Sequence, residues 1–243
     1  RLHIGNYGVD INIVKDDLIY AIPFFYYDTY NEEGHHLWGT PFKNVKLFID
    51  TETTGLPLND NLPYTDLKNW PYLVQVALII EDDNYGILAK RNIILKPDGY
   101  TIPESATKIH GISNERAVKN GEDRDKVISF LDLALYKSDI IIGHNVSFDL
   151  NVIKSEIIRI KGIENALFEK KKHIVIDTMK MGSNICKIPY LSFHTRLSMP
   201  NKYPKLDELY YKLFNKHFNN QHDAMADVQA AYDCYYELKR KSQ

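Results

Sequence analysis

Residues 46 to 57 read KLFIDTETTGLP: an apolar run ends in two acids one residue apart, Asp50 and Glu52, and a Gly-Leu-Pro turn follows. The run from Val45 to Asp50 has the unbroken apolar character of a short buried strand. Side chains alternate along a strand, so Asp50 and Glu52 project to one side if the strand continues that far. An acid-x-acid triplet is by itself common, and a solvated strand end explains most of them. Its meaning depends on what the rest of the chain brings to it.

Downstream, YLVQVALII (72 to 80) and GILAKRNIILK (86 to 96) read as two β-rich runs, with the polar EDDNYG between them as a hairpin turn. Pro103 to Lys119 suggests two short helical turns separated by HGIS. Over residues 124 to 137, Val127, Phe130, Leu131 and Leu135 recur at helical spacing. DIIIGH (139 to 144) is a further buried strand, a helix starts near Val146, and another strand falls near 173 to 176. A loop with Pro189, Pro200 and Pro204 comes next, then helices near 205 to 214 and 223 to 240. Strands first, then strands alternating with helices, specify an α/β domain with a mixed sheet. Residues 1 to 43 differ: they are rich in aromatics and sustain neither period, so they read as an extension to a main domain spanning 44 to 243. His35-His36 within it has no companion ligand nearby and reads as a loop pair.

Two further acids change the weight of the first two. In the helix after GHN, Val146, Leu150, Ile153, Ile157 and Ile160 form the buried stripe, and Asp149 borders it. In the last helix Ala224, Ala231, Cys234 and Leu238 mark the packed side, and Asp227 falls in line with them, whereas Asp233 lies on the polar side. An ionised carboxylate against a core is costly unless it is paired or holds a metal. A helix dipole accounts for Asp149 but not for Asp227, which this reading puts deeper in its helix. Four carboxylates without a Cys or His cluster select Mg²⁺ or Mn²⁺ over zinc. Two such ions held by carboxylates are a known device for cleaving phosphodiesters.

The order of these acids resembles the DEDDh 3′→5′ exonucleases of the ribonuclease H-like superfamily. Three segments carry the resemblance: FIDTETTGL with Asp50 and Glu52, GHNVSFD with Asp149, and HDAMAD with His222 and Asp227. IHGIS (109 to 113) and LDELYYKLF (206 to 214) also look like family segments. The sister branch has Tyr four positions before its last Asp; here that position is Asp223, and His222 stands one earlier. The resemblance implies a ribonuclease H-like fold, a central mixed five-stranded sheet flanked by helices. It also implies two divalent cations, Mg²⁺ or Mn²⁺, held by Asp50, Glu52, Asp149 and Asp227, with His222 removing a proton from the attacking water. An imidazole changes charge near neutral pH, which suits that role. By the same analogy Thr53 meets the terminal 3′-OH, Leu56 wedges beside the last base, and Asn145 contacts substrate near the scissile phosphate. Phe148 reads as core.

The activity so implied is removal of nucleoside 5′-monophosphates from the 3′ end of DNA, single-stranded ends preferred. Trimming of RNA 3′ ends stays open, because both polymers offer a 3′-OH and a stackable base. A catalytically silent binding module is the third class, and its mark would be a missing acid. A formal charge of −2 advertises no broad basic face. Metals gripping a short end make such a face unnecessary, and EKKKH (169 to 173) and Arg196, Lys202 and Lys205 are local cations that suit a guide path as well as ordinary surface. No apolar run nears the ~18 residues of a membrane span. Cys186 and Cys234 suggest neither disulfide framework nor zinc knuckle, so reduced thiols in a cytoplasmic protein are expected. The chain opens on Arg1, as a fragment would, and its aromatic first segment leaves room for a protein partner. The segment NDNLPYTDLKNWP and the long loop over 185 to 204 depart from the family pattern and bear on strand length or duplex tolerance.

Overall fold

Strand β1 runs from Lys46 to Thr53, beyond the apolar stretch, so both acids lie inside it. The computed structural model describes residues 42–189 and 201–242; the N-terminal stretch with His35 and His36, and the middle of the proline-containing loop, lie outside the described residues. β2 (Leu73–Asp82) pairs antiparallel with β1 and with β3 (Gly86–Ile94). On its other edge β1 pairs parallel with β4 (Ile140–Gly143), which pairs parallel with β5 (Ile174–Asp177). The order is β3-β2-β1-β4-β5, the mixed five-stranded sheet that the family resemblance implied. Seven helices accompany it among the described residues: α1 (Glu104–His110), α2 (Asn114–Asn120), α3 (Arg124–Lys137), α4 (Val146–Lys161), α5 (Thr178–Cys186), α6 (Leu206–Phe214) and α7 (Ala224–Lys241).

Alternation along the central strands divides the core in two. Leu47, Ile49, Val76, Leu78 and Ile80 face α3 and α4, meeting Val127, Leu131, Val146, Ile153 and Ile157. Phe48, Ala77, Ile79 and Ile142 face the opposite way, onto Ala224, Val228 and Tyr235 of α7. Covered on both faces, β2 is buried along its whole length, as its run of Leu, Val, Ala and Ile requires. Each such aliphatic side chain contributes about 1.5–3 kcal/mol on burial. β4 approaches β1 so closely that a Cβ on Gly143 would sit 2.9 Å from the carbonyl oxygen of Ile49. That glycine sets the distance between the strand ends on which the candidate site is built.

Several buried charges lock the helical layer. Glu156 is fully buried and accepts from Arg124 at 2.7 Å and also from Arg159. Asp132, equally buried, accepts from the backbone N–H groups of Leu167 and Phe168. The hairpin between β2 and β3 closes with Asp82 Oδ1 accepting from Asn84 N at 2.8 Å and Gly86 at φ +74°.

Two differences from the sequence reading concern helices. α5 was not expected: Gly182 and Ser183 dilute its periodic signal, and it is fixed by Asp177, whose side chain accepts from Met179 N at 3.0 Å as N-cap. The last helix starts at Ala224, so Asp227 sits in its first turn and not deeper. The dipole of α7 therefore favours the Asp227 charge too, contrary to the contrast drawn with Asp149.

Candidate active site

Strand β1 distributes its last residues between two helices. Asp50 and Glu52 share a side with Phe48, toward α7, while Thr51 turns toward α4 and donates its hydroxyl to Asp149 Oδ1 at 2.6 Å. Asp149 lies in the first turn of α4 and is 4% exposed. Asp227 comes from the first turn of α7, where the backbone N–H of His222 donates to its Oδ2 at 3.1 Å. His222 makes that contact from the left-handed region, φ +67°, a conformation uncommon for a residue with a Cβ. The same backbone turn brings its ring to the acids. Glu52, His222 and Asp227 each offer one ligand atom, and these lie within 4.8 Å of one another.

Electrostatics tie the remaining acids to that trio. Burial first, then the charges of Asp149, Asp227, Glu52 and Asp223, push the Asp50 carboxyl well above the usual carboxylate range. Burial and the same neighbours, Asp227 foremost, push Glu52 up to about 8. Asp149 rises to about 7 through burial, against the downward pull of the Thr51 hydrogen bond. Asp227 rises to about 6, again through burial, tempered by the N–H of His222. Without a cation the site holds more carboxylates than it can keep ionised. The donor set is oxygen-rich with one imidazole and no thiolate, the chemistry of Mg²⁺ or Mn²⁺. On both grounds the residues fit hard divalent ions, with Asp50, Glu52, Asp149 and Asp227 as the candidate ligands.

The substrate-side candidates lie around this cluster. The Thr53 hydroxyl donates to Gly55 O at 2.6 Å, closing the turn after β1. Leu56, on that turn, is 82% exposed, far outside the range of a core leucine. Asn145 takes the left-handed conformation at the N-cap of α4, with an exposed side chain and its backbone N–H donating to Asp177 Oδ1 at 2.9 Å. Phe148 packs against the first core, its ring 6.4 Å from that of Trp70. Three residues escaped the sequence reading. Thr51 steadies Asp149; strand alternation signals its direction but not its partner. Asp223 caps α7, accepting from Met225 N and Ala226 N, and adds its charge to the site; an Asp just before an apolar helical run is the signal for it. Asp177 bridges the starts of α4 and α5, and nothing in the sequence reveals that bridge.

Comparison with known proteins agrees with this fold. The family model described as Exonuclease matches residues 47–235. The DNA polymerase III subunit epsilon of Buchnera aphidicola subsp. Acyrthosiphon pisum (strain APS) is 28% identical over 188 residues, covering 74% of this chain and 67% of the relative. Among solved structures, the zinc-bound complex of E. coli exonuclease I with single-stranded DNA superposes with TM-score 0.61 at 22% identity, covering 83% of this chain and 41% of that one. E. coli exonuclease I with a dT13 oligonucleotide gives TM-score 0.60 at 22% identity, covering 82% and 41%. The present chain thus spans about two fifths of those exonuclease I chains, and at such identity the likeness is one of fold. The motif order, the sheet and the matched family model agree: the chain belongs to the exonuclease family, of the DEDD 3′→5′ type.

Proposed function

We propose that this chain cleaves nucleoside 5′-monophosphates from the 3′ end of DNA, favours single-stranded ends, and works with two divalent ions. One observation carries the reading: Glu52, His222 and Asp227 converge within 4.8 Å in a pocket whose acids are crowded enough to be driven toward protonation. When bound, divalent ions supply Lewis acidity, lowering the pKa of a water and offsetting charge on the phosphate. The chain's own residues do the rest. The four carboxylates hold the ions; Thr51 keeps Asp149 oriented through its hydroxyl. His222, exposed at the rim with its backbone anchored on Asp227, takes the proton from the attacking water on a ring nitrogen. Leu56, projecting from the turn after Glu52, meets the terminal base, and Asn145 meets the strand near the bond to be broken. A mouth that grips a terminus and stacks a base reads little sequence.

The DNA preference draws on the relatives: one is named as a subunit of a DNA polymerase, and the others were solved with single-stranded DNA. The test is degradation of a 3′-labelled single-stranded oligonucleotide in Mg²⁺, beside matched RNA, duplex and 3′-blocked strands. Release of labelled 5′-monophosphate is expected from unblocked DNA, silenced by EDTA and by Asp50→Ala. Full activity in Asp50→Ala, or faster trimming of the RNA, would overturn the proposal as stated.

A further inference from the structure

Asparagine is among the favoured residues at a helix N-cap, where its side-chain oxygen ordinarily accepts from the first free N–H groups of the helix. Asn145 occupies that position before α4 but makes no such bond. Its backbone lies in the left-handed region, φ +63° and ψ +36°, and its side chain is exposed. That region is unfavourable for any residue with a Cβ, although asparagine tolerates it better than most. A residue kept there with its capping group unused needs surroundings that fix its backbone.

Two neighbours more than thirty residues away supply them: Asp177 and Thr178, where β5 ends and α5 begins. Gly143 and Asp177 are register partners at the ends of the parallel strands β4 and β5. Three consecutive residues of the β4 end meet this pair. Thr178 Oγ1 donates to Gly143 O at 3.0 Å and lies 3.0 Å from His144 Nδ1, and Asn145 N donates to Asp177 Oδ1 at 2.9 Å. The far side of the imidazole is engaged as well, Nε2 donating to Pro204 O at 3.0 Å. Thr178 is wholly buried and Asp177 nearly so, which keeps water from competing for these bonds. Asp177 also caps α5 at Met179 N. Capping α5 asks for that one contact; the contacts to residues 143 to 145 are additional, and of these three residues Asn145 has the exposed side chain. We infer that Asp177 and Thr178 are positioning residues, which hold the end of β4 so that the Asn145 amide is turned away from α4 and toward the substrate strand. Both act through Asn145 and not on the reacting atoms. This inference rests on the exonuclease reading, in which Asn145 meets the strand near the bond to be broken, and adds what keeps it there.

The test is a pair of double-mutant cycles against Asn145→Ala, read as kcat/KM for a single-stranded DNA oligonucleotide in Mg²⁺. Thr178→Val keeps the side-chain shape and removes the hydroxyl, and Thr178→Ser retains it. Asp177→Ser keeps a favoured N-cap for α5 while withdrawing the carboxylate from Asn145 N, a second route should Thr178→Val fail to fold. With Asn145 present, Thr178→Val and Asp177→Ser are each expected to lower kcat/KM by at least about tenfold, since small misplacements near the chemistry are amplified in rate. In the Asn145→Ala background each should change it by less than about twofold, and Thr178→Ser should stay within about twofold of the parent. The charge of Asp177 also acts on Asp149; a loss by that route, or by general loosening of the fold, would persist undiminished after Asn145→Ala. Equal losses in both backgrounds, unchanged rates in both single variants, or full activity in Asn145→Ala would overturn the inference. Failure of the parent protein to release 5′-monophosphate would instead sink the exonuclease proposal, so the two failures are distinguishable.

Discussion

Replacing Asp227 by asparagine should make the metal-free protein more stable at alkaline pH while weakening its response to divalent ions. The Asp227 carboxyl is raised from 3.8 to about 6. The sign follows from linkage: a carboxyl raised on folding costs nothing below its unfolded pKa, and its penalty grows as pH climbs, reaching its full size once pH passes the folded value. The shift is about two pH units, and at 1.36 kcal/mol per unit the penalty is ~3 kcal/mol at pH 8. Asparagine keeps an oxygen to accept from His222 N and carries no charge, so the penalty disappears. For a domain of this size ~3 kcal/mol corresponds to a Tm rise of roughly 6–12 °C. Scanning calorimetry in EDTA should therefore show the variant gaining on the parent between pH 4 and 6.5 and holding its lead at pH 8. Adding Mn²⁺ at 100 times its Kd should raise the parent by about 2.7 kcal/mol at pH 8 and the variant by much less. Coincident melting curves in EDTA across the whole pH range, or an equal Mn²⁺ effect on both proteins, would refute the account of the site as overcrowded acids awaiting cations.

Other expectations follow from the same contacts. Thr51→Val removes the hydroxyl that favours ionised Asp149, so the pH at which Mn²⁺ binds should move upward, and affinity at neutral pH should fall roughly ten- to hundredfold, as loss of a ~1.5–3 kcal/mol charged hydrogen bond implies; titration calorimetry checks both. Glu156→Gln weakens the shared partner of Arg124 and Arg159 and should cost about 3–5 kcal/mol in denaturant unfolding. Leu56→Ala should change stability by less than about 0.5 kcal/mol, since the side chain packs on little, yet raise KM for oligonucleotides in steady-state assays.

The sheet was legible because its strands are apolar runs bounded by polar turns, and burial on both faces demands that composition. Asp149 and Asp227 stand out in the sequence as acids beside packed stripes, Asp50 and Glu52 as a pair at a strand end, and His222 only through its place in a family motif. What the chain did not reveal depends on partners distant in sequence. Thr51 becomes meaningful only when α4 presents Asp149, and Asp177 only when β5 lies beside β4. The placement of α5 is weak in the sequence because its central glycine and serine are poor helix formers; the helix is held by its cap and by Leu209 packing closely on Gly182. The depth assigned to Asp227 erred although the expected start, near 223, lies one residue from the observed one: four residues beyond the cap is still the first turn.

The docking of α7 over β1 has a consequence for timing. Asp50 and Glu52 emerge early from the ribosome, but His222 and Asp227 belong to the segment that opens the last described helix, which also roofs Phe48, Ala77, Ile79 and Ile142. A nascent or truncated chain lacking that helix has a bare apolar sheet face and half of a nuclease. If the proposed roles of His222 and Asp227 hold, competence to cut is switched on late, by the same docking event that covers the apolar sheet face.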